Sequence, residues 1–304
     1  MKIAVIMSTY NGEKYIREQI DSILNQENVD LDLFIRDDGS KDDTTKIIKE
    51  YADKHSNIHV DCGVNVGFRR SFISLLLKVK GYDYYAFSDQ DDYWRKNKLS
   101  SAIQVIEAVG NIEKCVVYYS NLKIVDGSLN YIKTTNLDQR KQTLQSAFSR
   151  RSIAGCTMVF NKKMYELIDK HEIVDGLLRR GHDSFIITLC YAVGGDVICD
   201  SNAYIQYRQH ESNASGGSKG SIYRLKKEWN TVFNKKGQEP EIAKNILNRW
   251  SDDITEEAKN TLELVSKSNT QVGDRLKIFF SRQFTTGDLR LTVLSKIKIL
   301  LGML

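Results

Sequence analysis

Proline, histidine and cysteine are scarce in this 304-residue chain: it has one proline (Pro240), five histidines and five cysteines. A single proline excludes proline-rich linkers, so any boundary between domains must lie elsewhere. The cysteines (Cys62, Cys115, Cys156, Cys190 and Cys199) are scattered, odd in number and never in C-x-x-C spacing. That pattern predicts buried free thiols in a reducing cytoplasm. No run reaches the roughly eighteen apolar residues that a membrane-spanning helix needs. The apolar stretch Ile3–Met7 is short and is followed by Tyr10-Asn11-Gly12, so no secretory leader is expected. Basic charge is also missing where a nucleic-acid binder would carry it. The net charge is +5, and residues 275–304 alone supply it, with Arg275, Lys277, Arg282, Arg290, Lys296 and Lys298 against Asp288. The preceding part of the chain is neutral overall, which argues against nucleic acid as a partner.

What is present is ordinary globular composition, 41% hydrophobic and 27% charged, in a chain long enough for one large core with an appendage or for two domains. The first hundred residues alternate regularly. Strands are predicted at Lys2–Ser8, Leu31–Arg36, Asn57–Asp61 and Tyr84–Phe87. Helices follow them: one carrying Tyr15, Ile16, Ile20, Ile23 and Leu24, then Asp42–Lys54, Arg69–Lys80 and Lys96–Val109. Such alternation predicts an α/β fold, a mostly parallel sheet with helices on both faces. Beyond it, strands are expected at Cys115–Ser120, Leu122–Val125, Gly155–Phe160, Asp196–Cys199 and Ala203–Tyr207, and helices at Arg140–Phe148, Met164–Asp169 and Asp183–Ala192. The Ser-, Asn- and Gly-rich stretch Glu211–Ser221 is the candidate boundary. It divides a first domain, 1–215, from a helical extension, 216–304, with helices expected at Tyr223–Phe233 and Glu241–Lys267.

The chain is organised around Ser88-Asp89-Gln90-Asp91-Asp92-Tyr93-Trp94. Three carboxylates within four residues at a strand's carboxyl end repel one another unless a cation neutralises them. Oxygen ligands at i and i+2, here Asp89 and Asp91, suit a hard ion such as Mg2+ or Mn2+ completed by water and phosphate. The plainer reading is a solvated acidic turn before the next helix, with Asp92 or Asn97 as its cap. Two other strand ends carry Thr9-Tyr10-Asn11 and Asp37-Asp38-Gly39-Ser40. An aromatic ring and a carboxylate on adjacent strand ends can stack on a base and accept from its N–H or from ribose hydroxyls. The plainer reading of Asp-Gly is a turn.

Taken in order, STYNGEKYIREQIDSILNQ, LFIRDDGSKDDT, GVNVGF, YYAFSDQDDYW, AGCTMVF, GHDSF and YRQHESNASG resemble glycosyltransferase family 2 over residues 1 to about 215. The last two are similar to the bacterial subgroup that adds rhamnose, galactose and related sugars to capsule, O-antigen and cell-wall polysaccharides. The resemblance implies the GT-A fold and a UDP- or dTDP-sugar donor held with Mn2+ or Mg2+. It implies that Thr9, Tyr10, Asn11, Asp38, Gly39, Asn65, Asp89 and Arg208 hold the donor, that Asp89, Asp91 and His210 serve the metal, and that Asp183 is the catalytic base. His182 stands where the family usually has glutamate, and Ser71 where relatives often have asparagine, so Ser71 receives no role. A single base with the metal on the far side of the sugar implies in-line displacement and inversion. The plainer reading of Asp183 is an N-cap of its helix. His55, His59 and His171 are read as structural or surface.

In the tail, Leu289, Val293, Ile297, Leu300, Leu301 and Leu304 recur at helical spacing beside Arg290, Lys296 and Lys298. Such a helix suits an anionic membrane surface, or packs on its own domain or on a second subunit. With a lipid-linked saccharide acceptor, this places the protein in the cytoplasm at the inner face of the cell membrane. A homodimer is left open. Two other functions compete: a sugar nucleotidyltransferase, which the stretch after the first strand does not favour because it lacks the Gly-rich basic loop for a triphosphate, and a non-catalytic nucleotide-sugar binding module, against which the joint presence of Asp89, Asp91 and Asp183 counts.

Overall fold

The computed structural model describes residues 1–108, 111, 113–149, 153–209 and 238–304. Their contacts form two compact units. The first comprises Met1–Asp138, Ile153–Lys170 and Asp196–His210, and the second Gln139–Ser152, His171–Gly195 and Glu211–Leu304. The expected division at residue 215 therefore differs from the units observed, because two earlier segments join the C-terminal helices.

The first unit contains β1 (Lys2–Thr9), α1 (Ile16–Leu24), β2 (Asp30–Asp37), α2 (Thr44–Ala52), β3 (Ile58–Cys62), α3 (Phe68–Leu76), β4 (Tyr84–Ser88), β5 (Tyr93–Trp94) and α4 (Lys98–Ala108). It continues with β6 (Val116–Val125) and β7 (Tyr131–Thr134). The second unit's α5 (Leu144–Ser149) intervenes, and the first resumes with β8 (Val159–Asn161) and α6 (Lys162–Asp169). After α7 (His182–Ala192) of the second unit comes β9 (Asp196–Arg208) of the first. The strands form one sheet in the order β3-β2-β1-β4-β8-β6-β9-β5, with β7 paired to β6. β3, β2, β1 and β4 run parallel, and β8 lies antiparallel between β4 and β6.

β1 lies between β2 and β4, and its residues Ile3 to Met7 are all fully buried, as a strand covered on both faces must be. Ile3, Val5 and Met7 join Ile16, Ile20 and Ile23 of α1, Ile47 and Ile48 of α2, and Leu99 and Ile103 of α4 in one cluster. On the aromatic side, Phe72 meets Phe87 edge-on with ring centres 5.4 Å apart, and Tyr85 stacks on Tyr165 at 4.3 Å. Each buried isoleucine contributes about 1.5–3 kcal/mol. His59 is exposed and stacks on Phe34 at 4.6 Å.

Several local expectations are corrected. The two short strands expected on either side of Asn121 are one, β6. Asn121 is buried and its side chain donates to Asp138 and to Ser201 O and accepts from Leu137 N, so it holds a register shift in the ladder instead of ending a strand. The strands expected at Asp196–Cys199 and Ala203–Tyr207 are likewise one, β9, which absorbs its irregularity against the same positions of β6. Gly155–Thr157 forms a 3-10 turn that leaves only the short β8. Cys62 is exposed, whereas Cys156 and Cys190 are the buried thiols.

In the second unit, α7 is joined by α8 (Gln238–Arg249), α9 (Glu256–Lys267), α10 (Val272–Phe280) and α11 (Leu289–Leu300). The single helix expected over Glu241–Lys267 is two, because Thr255 caps α9 by accepting from Ala258 N at 3.2 Å. Trp250, in the break, is fully buried against Phe185 of α7 and the edge of His171. Leu289, Val293, Ile297, Leu300 and Leu301 are exposed, but Leu304 is buried, as are Ile299 and Met303. The expected helix Tyr223–Phe233 and the Glu211–Ser221 boundary lie outside the described residues. Among those residues, no helix is long and apolar enough to cross a membrane.

Candidate active site

β2, β1 and β4 are consecutive in the sheet and parallel, so their carboxyl ends release three loops side by side. This is where open α/β sheets bind ligands.

After β1, Thr9 is buried and its Oγ1 donates to Asp37 at 3.1 Å, while its carbonyl accepts from Asp38 N at 2.8 Å. The Tyr10 ring is 44% exposed, leaving a face for stacking. Asn11, at φ +50°, donates its N–H to Ser40 Oγ and accepts from Lys41 N, both at 2.9 Å. It thus stitches this loop to the next.

After β2, Asp37 accepts from Gly39 N at 3.2 Å and Ser40 N at 2.9 Å and closes the turn. Asp38 is 2% exposed, and its two oxygens accept from Val66 N and Gly67 N, each at 2.9 Å. Arg36 lies 3.6 Å away. Gly39 adopts φ +81°, and a Cβ there would come within 3.1 Å of Asn65 N, so glycine is needed both for the turn and for the close approach. Asn65 in turn accepts from Gly67 N at 3.2 Å. Asp38, Gly39 and Asn65 are therefore brought together, with the carboxylate holding the loop after β3.

After β4, Ser88 is buried, accepting from Gln19 at 2.8 Å and donating to Asp89 O at 2.9 Å. Asp89 and Asp91 are half-buried, whereas Asp92 is fully buried. The chain then re-enters the sheet as β5, paired with Ile205 and Gln206 of β9. Asp92 Oδ1 accepts from Arg208 N at 3.2 Å. Behind it lie the buried Cys156 and Lys98, whose ammonium sits 3.5 Å from the Trp94 ring centre. Burial, reinforced by Asp89 and Asp91, raises the Asp92 carboxyl well above the usual carboxylate range. Burial also pushes the Lys98 ammonium down to about 7 and the Cys156 thiol up. All three shifts favour neutral forms.

Carboxylates at Asp89, Asp91 and Asp92 in one loop are the oxygen donors a hard divalent cation takes. Donor atoms of Asp89, Asp92 and Cys156 lie within 4.8 Å of one another. A thiol would favour a softer metal; in this cluster Asp89 is half-buried, Asp92 and Cys156 are buried, and Asp91 is not among the three.

Arg208 ends β9 and is 2% exposed. Its guanidinium pairs with Glu18, donates to Gly127 O at 2.8 Å and covers the Tyr15 ring at 4.7 Å, so it ties β9 to α1. His210 lies outside the described residues. Asp183 belongs to the second unit and occupies the second position of α7, where its Oδ1 accepts from Ser184 N at 2.7 Å. The N-cap is Gly181, so the capping reading of Asp183 does not hold; the carboxylate lies in the first turn, where the helix dipole favours it. Sequence reasoning missed Glu18 and Lys98, since a glutamate and a lysine on helices read as solvated; Cys156 was expected only as a buried thiol.

The family model for glycosyl transferase family 2 matches residues 4–168, more than half of the chain. The chain belongs to that family. It is 32% identical over 263 residues to a dTDP-rhamnosyl transferase, RfbG, of Shigella flexneri, covering 81% of this chain and 85% of that protein. An uncharacterized glycosyltransferase of Rickettsia typhi is 26% identical, with 83% and 78% covered. Among solved structures, TarS 1–349 of S. aureus in complex with UDP superimposes with a TM-score of 0.57 at 18% identity, covering 100% of this chain and 89% of that one. The mannosyltransferase PcManGT of Pyrobaculum calidifontis, in complex with GDP-Man and Mn2+, gives 0.51 at 14% identity, with 98% and 86% covered. These likenesses show the fold, which is GT-A, a mostly parallel sheet flanked by helices with further helices toward the C-terminus. As a member of this family the protein is a glycosyltransferase.

Proposed function

We propose that this enzyme transfers a sugar, with inversion and with a divalent metal, from a nucleoside diphosphate to a hydroxyl of a lipid-linked or polysaccharide acceptor in bacterial surface-polysaccharide synthesis. The observation that carries the reading is the adjacency of β2, β1 and β4, which sets the exposed Tyr10 ring beside the loop bearing Asp89 and Asp91. Tyr10 stacks on the base, the Asp38-anchored loop flanks it, and Asp89 and Asp91 hold Mn2+ or Mg2+. Bound there, the metal stabilises charge developing on the leaving diphosphate. Asp183 accepts the proton of the attacking hydroxyl. Likeness to the dTDP-rhamnosyl transferase over most of both chains supports a dTDP-sugar, with rhamnose as the first sugar to test and UDP-galactose or UDP-glucose next.

The exposed apolar row of α11, together with Phe280 of α10, supports docking on an anionic inner-membrane surface. The exposed Arg282 and Arg290 are the cations for it; Lys296 is engaged internally, donating to Ile278 O, Phe279 O and Ser281 O.

Purified protein with dTDP-rhamnose, UDP-galactose or UDP-glucose tests the chemistry. Metal-dependent release of dTDP or UDP is expected, lost in excess EDTA. Asp183→Asn should keep donor affinity while transfer falls by roughly a thousandfold or more. Full activity in EDTA removes the metal assignment, and near-normal turnover by the Asn variant removes the base.

A further inference from the structure

Between Asp89 and Asp91 stands Gln90, which none of these roles uses. Its Oε1 accepts from Tyr10 N at 2.8 Å, and its Nε2 donates to Tyr10 O at 3.1 Å. A primary amide carries a donor and an acceptor in one plane, so it pairs with a backbone residue as a neighbouring strand would. The β1–β4 ladder ends at Met7 and Ser88. The Gln90 amide renews that pairing beyond the last ladder pair. Gly12 makes room for it, because a Cβ there would lie 2.3 Å from Oε1 and 2.6 Å from Cδ.

We propose that Gln90 is a positioning residue that fixes the spacing between the nucleoside platform at Tyr10 and the two carboxylates that flank Gln90 in sequence. The inference rests on the donor-site reading above. A metal-bound nucleoside diphosphate spans both subsites. When the subsites are rigidly linked, their contributions multiply through a high effective concentration, and a loose link forfeits that gain without weakening either subsite. The amide chemistry is specific. Glutamate at residue 90 would set an acceptor against Tyr10 O and add a fourth carboxylate to the loop. Methionine keeps the length and removes both hydrogen bonds.

The test compares full-length wild type with Gln90→Met in three binding measurements: thymidine alone by ligand-observed NMR, Mn2+ alone by calorimetry, and dTDP with saturating Mn2+ by calorimetry, with uridine and UDP run in parallel. The first two should stay within about twofold of wild type, while nucleoside diphosphate with Mn2+ weakens by roughly tenfold or more. With a turned-over donor, KM should rise more than kcat falls. Gly12→Ala displaces the amide without altering residue 90 and should give the same signature. Equal weakening of all three ligands, or unchanged nucleoside diphosphate binding, overturns the proposal, and so does failure of both variants to fold, which would assign Gln90 to the fold alone. If wild type binds neither dTDP nor UDP more tightly with Mn2+, the donor-site reading itself has failed and the proposal goes with it. Strong metal coupling in wild type with unchanged variants sinks the positioning role only.

Discussion

The loop after β4 carries three carboxylates, of which Asp92 is fully buried; the terminal helix pair α10–α11 and its flanks carry six cations, of which Arg275 and Lys296 each donate to three carbonyls. Asp92 braces β9 through Arg208 N. Lys296 Nζ donates to three carbonyls at the end of α10, at 2.6–2.8 Å, and Arg275 donates to Ser268 O, Asn269 O and Leu300 O. In both regions, ionisable groups that read in sequence as solvated or ligand-facing are partly engaged inside. The regions differ in their apolar groups. Trp94 beside the acidic loop is buried, whereas Phe280, Leu289 and Val293 are 75%, 80% and 51% exposed. If this surface docks on a membrane as proposed, apolar area is expected to contribute more than charge.

The sharpest way to break the comparison is within the acidic loop itself. Asp91→Ala should lower transfer by about a thousandfold or more, since metal and diphosphate contacts are lost. Its thermal midpoint should hold or rise, because carboxylate repulsion is relieved. Asp92→Ala should lower unfolding stability by about 2–4 kcal/mol, because it leaves the Arg208 N–H unpaired and a buried cavity beside Lys98. Adding Lys98→Met should recover part of that cost, giving a coupling of about 1 kcal/mol in a double-mutant cycle. Urea denaturation and initial rates check both. A stable but inactive Asp92→Ala beside an unfolded Asp91→Ala would reverse the assignment.

In the tail the same contrast is smaller. Lys296→Met should cost about 2 kcal/mol, the scale of hydrogen bonds to a charged group, and leave vesicle binding unchanged. Arg290→Ser should leave stability within about 0.5 kcal/mol, as exposed surface substitutions do. It should weaken sedimentation with phosphatidylglycerol vesicles by about fivefold, the worth of one basic residue at an anionic surface. Equal vesicle binding by both variants and wild type would remove charge from the docking account.

Much of this was legible in the chain. β1, β2, β3 and β4 follow from short apolar runs bounded by turn residues, and each helix that follows them shows 3.6-residue periodicity. The acidic loop and the strand-end loops were legible because three carboxylates, or Asp-Gly after an apolar run, break a local pattern. What stayed hidden depends on partners distant in sequence. Asn121 reads as a turn residue, yet Asp138, Ser201 and Leu137 hold it inside β6. Asp38 reads as a ligand to a base, and only the fold shows Val66 and Gly67 on its oxygens. Asp92 and Lys98 are polar residues whose burial no periodicity signals. The interleaving of residues 139–152 and 171–195 with the C-terminal helices was hidden for the same reason, since the composition shift at Glu211–Ser221 marks a break along the chain and not in space.

A further small effect concerns that second unit. Glu241–Lys267 has the periodicity of one long helix, and the structure divides it at Trp250–Thr255. Two devices enforce the break: Thr255 Oγ1 accepts from Ala258 N at 3.2 Å, and Thr255 N donates to Ala192 O at the end of α7, at 3.0 Å. The second survives any substitution but proline. Thr255→Ala therefore removes only the cap, and should cost about 1 kcal/mol in urea denaturation, with Thr255→Ser near wild type. Far-UV circular dichroism should be unchanged, because the buried Trp250 and the bond to Ala192 still prevent the two helices from joining. A gain in helical signal with undiminished stability would mean that the cap alone kept α8 and α9 apart and that the long-helix reading described the sequence's own preference.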